Sequence, residues 1–279
     1  MHLYEVLENM EIHPEEEMEI LHRLFSEEGI GGQVGPFTLE SYIDTYYFDD
    51  FKMKKRCLEI SDLRDKLEIS ESDFDDSFER MFLFVEFLLN AMDELLELGN
   101  FNSFSEVFQQ CSKIKETIDS LLNDTNHECK KVDKLDWIVV EKNAYASQAV
   151  EFIEDADVAM DVIEYNHVLL KGNLEKKKKL LTSLARYAEP ILKDKESKIK
   201  DRYNKLFEDT DCILNNFDLR HNNVDGPKRN EYVVSLSANE LEAWYDKAYN
   251  MLLEVIIAKE NFQYCKEIEE KRRENIFKS

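Results

Sequence analysis

Apolar residues recur at three- and four-residue spacing through most of this chain, the pattern of helices that bury one face. The clearest stretch is 74–98, where Phe78, Met81, Phe82, Val85, Leu88, Leu89, Met92, Leu95 and Leu96 form one stripe and Gly99-Asn100 supplies a stop. Ser103 with Glu106 reads as a capping box for a second helix, striped by Val107, Phe108, Cys111, Ile114, Ile118 and Leu121. Upstream, Glu15-Glu16-Glu17 lead into Met18, Ile20, Leu21 and Leu24, predicting short helices over 1–28. Residues 30–36, with three glycines and Pro36, predict a chain reversal; 42–51 predicts a helix or turn pinned by its Tyr and Phe rings.

Periodicity fades over 123–133, the best linker, and residues 137–140 (Trp-Ile-Val-Val) suggest one short strand or extended link. Helical stripes resume over 144–153 and 158–170. A lysine run then opens a long helix reaching about residue 215, with a break expected near Pro190. Residues 232–234 look extended, and Ser237 with Glu240 caps a final helix carrying Leu241, Trp244, Tyr245, Ala248, Tyr249, Leu252, Val255 and Ile256. The expectation is an all-α protein of two helical bundle units, 1–125 and 126–279, with at most one or two short strands.

Composition agrees. Seven glycines and four prolines in 279 residues disfavour sandwiches and glycine-rich nucleotide folds. The net charge of −24 opposes nucleic acid and anionic lipid on average, but it is uneven: between positions 171 and 205, twelve Lys or Arg face five acids. Five widely spaced cysteines with no CxxC pair fit free thiols in a reducing compartment. The sequence offers no signal-peptide pattern at residues 1–5 and no apolar run long enough for a bilayer, so a cytoplasmic protein without membrane contact is expected. His127-x-Cys129 lacks a second ligand pair, His22 stands alone in sequence, and one Glu164-x-x-His167 falls short of a di-iron set. No metal and no cofactor are expected.

Candidate chemistry concentrates in Leu219-Arg220-His221-Asn222-Asn223-Val224, where a fixed cation, an imidazole and two amides share one turn of backbone. Two readings stand side by side. The turn is a helix cap, with Asn in left-handed geometry and cations complementing the helix dipole. Alternatively it holds a phosphate, with Lys176, Lys177, Lys178 and Lys179 as further contacts to a polyanion.

A long helix, Arg-His-polar at its end, a turn and a second long amphipathic helix together resemble the HEPN superfamily of helical bundles. These occur in RNA-cleaving toxins and in bacterial abortive-infection and phage-defence proteins. The similar blocks are 162–167 (VIEYNH), 170–177 (LKGNLEKK), 219–223 (LRHNN) and 241–246 (LEAWYD), under half the chain. The resemblance implies a homodimer that cleaves RNA without metal, with Arg220 stabilising phosphate charge; if this chain is an enzyme, His221, the nearest imidazole, moves the proton, and Asn222, Asn223 and the lysines hold substrate. It also implies a His after four to six intervening residues, at positions 225 to 227, where this chain has Asp225, Gly226 and Pro227. The alternative is a non-catalytic interaction module, whose acidic N-terminal unit binds a protein partner and whose Arg-His-Asn-Asn turn is structural.

Overall fold

The computed structural model describes residues 11–32, 37–132, 136–194, 199–221, 223–225, 227 and 229–274. The fold is all-α, with eleven helices and one two-stranded antiparallel sheet among these residues. It divides into two compact units, Met1–Lys142 and Asn143–Ser279.

In the first unit α1 (Pro14–His22) opens with Pro14 in its first turn and Glu15, Glu16 and Glu17 at the positive end of the dipole. It runs into a π-helical turn, Arg23–Glu27, closed by the Glu28 amide on the Arg23 carbonyl at 2.8 Å. Short helices α2 (Leu39–Tyr46) and α3 (Ile60–Lys66) follow. The aromatic stretch is anchored as expected, with Phe48 and Phe51 buried, while Tyr46 is exposed. The expected reversal at 30–36 lies partly outside the described residues; Ile30–Gly32 is a tight turn with Gly31 at φ +80°.

The long helix α4 (Phe78–Gly99) is centrally buried and ends on Asn100 in the left-handed region. Helix α5 (Glu106–Asp124) begins one turn-position later than the capping pattern suggested. Its N-cap is Ser105, whose hydroxyl accepts the Phe108 amide at 3.2 Å, because Ser105 and not Ser103 is the last extended residue.

The stretch read as a linker is half of a hairpin. Strand β1 (His127–Lys131) pairs with β2 (Trp137–Glu141), His127 facing Glu141 and Lys131 facing Trp137. Both strands pack on α4 and α5, which moves the unit boundary from 125/126 to 142/143. A polar strip on α4 explains the pairing. Glu86 accepts the Val139 amide at 2.7 Å, and Asn90 both accepts from the Trp137 amide and donates to its carbonyl, at 2.9 and 3.0 Å. One helical turn further, Glu94 accepts the Lys52 and Met53 amides. Glu86 and Glu94 are thus buried carboxylates that satisfy backbone donors no strand or helix reaches.

In the second unit, α6 (Ala144–Phe152), α7 (Ala156–Tyr165), α8 (Leu174–Lys193), α9 (Ile199–Asn216) and the short α10 (Glu231–Ser235) surround α11 (Ala238–Arg273). Helix α11 packs against α6, α8 and α9 through Tyr245, Ala248, Tyr249, Leu252, Val255 and Ile256. Its Ser237–Glu240 capping box is present as read from the sequence. Pro190 does not break α8: it lies in the last turn on an exposed face, where its missing amide costs one hydrogen bond near an end. Residues 232–234 are helical, not extended, because Asn230 caps them, accepting the Tyr232 amide at 3.1 Å.

Replacing Asn90 with Ala strips the Trp137 amide and carbonyl of their partner. The expected cost is about 1–3 kcal/mol, read by denaturant unfolding, together with faster amide exchange over β2 than over α5.

Candidate functional site

Helix α9 ends by turning through Asp218, which takes a left-handed φ of +60°. A non-glycine residue holds that geometry only when its neighbours compensate. They do so reciprocally: the Asp218 amide donates to Asn223 Oδ1 at 3.0 Å, and the Asn223 amide donates back to Asp218 Oδ1 at 3.1 Å. The Asn223 carbonyl accepts the Asn230 amide at 2.7 Å, and the Arg220 amide reaches back to Leu214 at 3.0 Å. Asn223 is therefore buried, its side chain spent on the loop. Asn222, the other expected substrate amide, lies outside the described residues, as does Gly226.

Arg220 points inward. Its Nη1 donates to Asp211 Oδ1 at 2.7 Å, nine residues earlier on α9, and the Arg220 side chain is only 16 % exposed. Its Nη2 is buried without a hydrogen-bond partner. His221 is exposed. The two side chains assigned to one catalytic step thus face different environments: Arg220 is held against Asp211, and His221 is at the surface. Together with Lys178, Thr182, Val224 and Asp225 they line a 470 Å³ pocket.

The lysine run is not a free cationic face. Lys176 pairs with Glu164 at 2.5 Å and Lys178 with Asp218. Lys177 is buried, its ammonium 2.9 Å from Glu242 and 2.8 Å from Asp246 and lying over the Tyr165 ring. Lys179 is exposed and has no ion pair among the described residues. It lines an 890 Å³ groove between α7 and α8 with Arg186, Asn173 and Ser183, but also with Asp161, Glu164 and Glu175.

The Lys177 cluster continues inward. The Tyr165 hydroxyl donates to Asp246 at 2.9 Å, and its ring stacks on Tyr249 with centroids 4.0 Å apart. The Tyr249 hydroxyl donates to the Val162 carbonyl at 2.9 Å, and Glu242 accepts the Gly172 amide at 2.9 Å. Burial, with the Asp246 charge second, pushes the Tyr165 phenol well above its ordinary range. Glu242 is held below the usual carboxylate range: burial opposes this, but the bonds from Lys177 and the Gly172 amide outweigh it. The four sequence blocks singled out above are tied by this network, with Lys178–Asp218 joining the Arg220 turn to it. The acids that complete it, Asp211, Asp218, Glu242 and Asp246, were missed in the sequence; the available signal was Glu242 and Asp246 at i, i+4 on an otherwise apolar helix face.

His127 and Cys129 sit in β1. The His127 ring lies on Phe82 at 4.4 Å, and burial, with Asp119 and Glu86 adding to it, pushes the Cys129 thiol up to about 12. A thiol so raised stays protonated and is a poor ligand. Among the described residues no helix is long and apolar enough to cross a membrane. No protein-family model matches the chain, and neither a curated protein nor a solved structure is found to be similar to it.

Arg220→Ala is expected to lower stability by about 1–3 kcal/mol, because it leaves Asp211 unpaired at a partly buried site. His221→Ala should stay within about 0.5 kcal/mol of the parent. A Trp137→Phe background leaves Trp244 as the fluorescence reporter of this unit. Lys177→Met should cost more, about 2–3 kcal/mol, short of a fully enclosed pair because Asp246 is half exposed.

Proposed function

We propose that the chain is a non-catalytic helical interaction protein, in which the Arg220–Asn223 turn closes the second unit and the first unit presents the partner-binding surface. The observation that carries this reading is the consumption of the groups an RNA site would need. Arg220, Lys176, Lys177, Lys178 and Asn223 all have intramolecular partners, and the proton-transfer candidate His221 is exposed beside them on the rim of the Arg220 pocket. Binding a phosphate there would first require breaking these pairs.

Charge supports assigning the partner surface to the first unit. Residues 1–142 hold 34 acids against 14 Lys or Arg, a net of −20, whereas residues 143–279 are near balance at −4. If each cation of the first unit offsets one carboxylate, twenty negative charges remain on it. The partner this favours is a protein of basic surface.

A second reading keeps the HEPN-like resemblance: an abortive-infection or toxin-type homodimer that binds RNA, with or without cleaving it. It is favoured by Lys179 and Arg186, two cations without ion pairs among the described residues. Their groove shares Lys178 and Thr182 with the pocket at Arg220 and His221.

Purified chain incubated with total RNA, without metal, separates the two. The interaction reading expects intact RNA and no salt-dependent retention. RNA cleavage abolished by Arg220→Ala, or retention lost with Lys179→Ala and Arg186→Ala, would overturn it. Zero-length carboxylate–amine cross-linking in cell extract then tests the surface. Partner lysines should couple to acids of 11–142; coupling confined to residues 143–274 would show the wrong unit has been assigned.

A further inference from the structure

His22 is isolated in sequence but not in space. It closes α1, and the π-helical turn that follows determines what stands beside it. In an α-helix, residues five apart are about 140° apart around the axis. The wider turn, closed by an i to i+5 hydrogen bond, instead brings Glu27 back over His22, with Glu27 Oε1 at 3.8 Å from Nδ1. Glu71 arrives from the first unit's other side of this corner, at the start of the tight turn Glu71–Asp73, whose backbone is fixed by the Ser70–Asp73 capping box. One donor atom each from His22, Glu27 and Glu71 then lie within 4.8 Å of one another.

The three groups differ in a way that suits a ligand set. The His22 ring is nine-tenths buried, edge-on to Phe74 at 5.9 Å, and neither ring nitrogen makes a hydrogen bond among the described residues. Nδ1 faces Glu27 Oε1 at 3.8 Å, beyond hydrogen-bond range, so the ring edge toward the two carboxylates is open to a further ligand. Burial, and after it the Arg64 guanidinium, hold its pKa below the ordinary value against the opposing pull of Glu71, Glu40 and Glu27, which keeps a nitrogen lone pair available. Arg64 itself is engaged by Glu40 at 2.9 Å and Ser26 at 3.1 Å. Glu27 and Glu71 are exposed, and the Glu71 carboxylate has no ion pair or hydrogen bond among the described residues, so both arms are free to move.

We propose that His22, Glu27 and Glu71 bind a divalent transition-metal ion of the zinc class, with water completing the coordination. Donors around such an ion, at bond lengths near 2.1 Å, stand roughly 3.4 Å apart. Closing from the observed spacing needs only rotation of two exposed Glu side chains about backbones that are already pinned. One imidazole nitrogen with two carboxylate oxygens selects borderline ions such as Zn²⁺ or Co²⁺. Ca²⁺ prefers an all-oxygen set, and Cu⁺ prefers sulfur. The ion would staple the end of α1 to the turn at 71–73.

The test is titration of the chelator-treated full chain with Co²⁺, followed by visible absorption and displacement by Zn²⁺. One equivalent is expected, with weak ligand-field bands, no thiolate charge-transfer band and a raised melting temperature when loaded. Because His22→Ala also empties a core position, the exposed variants Glu27→Gln and Glu71→Gln carry the decision. Each should weaken binding about tenfold or more while leaving the metal-free melting temperature unchanged. Unchanged affinity in both variants, a thiolate band placing the ion on cysteine, equal affinity for Ca²⁺, or no saturable binding would each overturn the assignment.

Discussion

The ammonium of Lys177, held between Glu242 and Asp246 over the Tyr165 ring, is the constraint on which the second unit is organised. A buried charge is tolerable only if its counter-charges are fixed, so α8 and α11 are held in one register by a contact that cannot slide without stranding an ion. Apolar packing between the same helices, Leu181, Leu184 and Ala188 against Tyr245, Leu252 and Val255, supplies most of the burial but tolerates small shifts. Polar selection on top of apolar stabilisation gives one arrangement. The stacked Tyr165 and Tyr249 and the Gly172–Glu242 bond carry the same restraint to α7 and to the approach to α8.

The Arg220 turn inherits its character from this register. With α8 placed, Lys178 reaches Asp218, and Asp218 can then hold its left-handed backbone through the exchange with Asn223. Arg220 follows from the turn into contact with Asp211. Residues that look like a phosphate cradle when read in a row become, in space, the closing bonds of a helix end. Among the described residues of this unit, Arg220 Nη2 is the one buried side-chain donor left without a partner. The first unit solves a related problem with opposite chemistry, using the buried Glu86, Asn90 and Glu94 strip to receive backbone amides of β2 and of the 52–54 turn.

Helices were legible where one face is continuously apolar, as in α4, α5, α8 and α11, because burial of that face is a property of the local sequence alone. Errors fell where a side chain from elsewhere decided the outcome. Residues 127–131 are polar and carry no strand pattern, yet they are a strand because β2 offers one edge while α4 occupies the other. Tyr232–Val234 have strand-type side chains and are helical because Asn230 caps them. Glu27 and Glu71 gave no signal as neighbours of His22, since a π turn is not written in spacing and a 49-residue separation is not written at all.

The sequence by itself determined the all-α class, the main helices with their buried faces, and the concentration of negative charge in the first 142 residues, each of which is a sum over local preferences or formal charges. Tertiary structure alone decided which charges remain available. Whether Lys176, Lys178 or Arg220 is a free cation or half of an ion pair depends on which acid stands within about 4 Å, and a Coulomb contact of that range is set by packing, not by order along the chain.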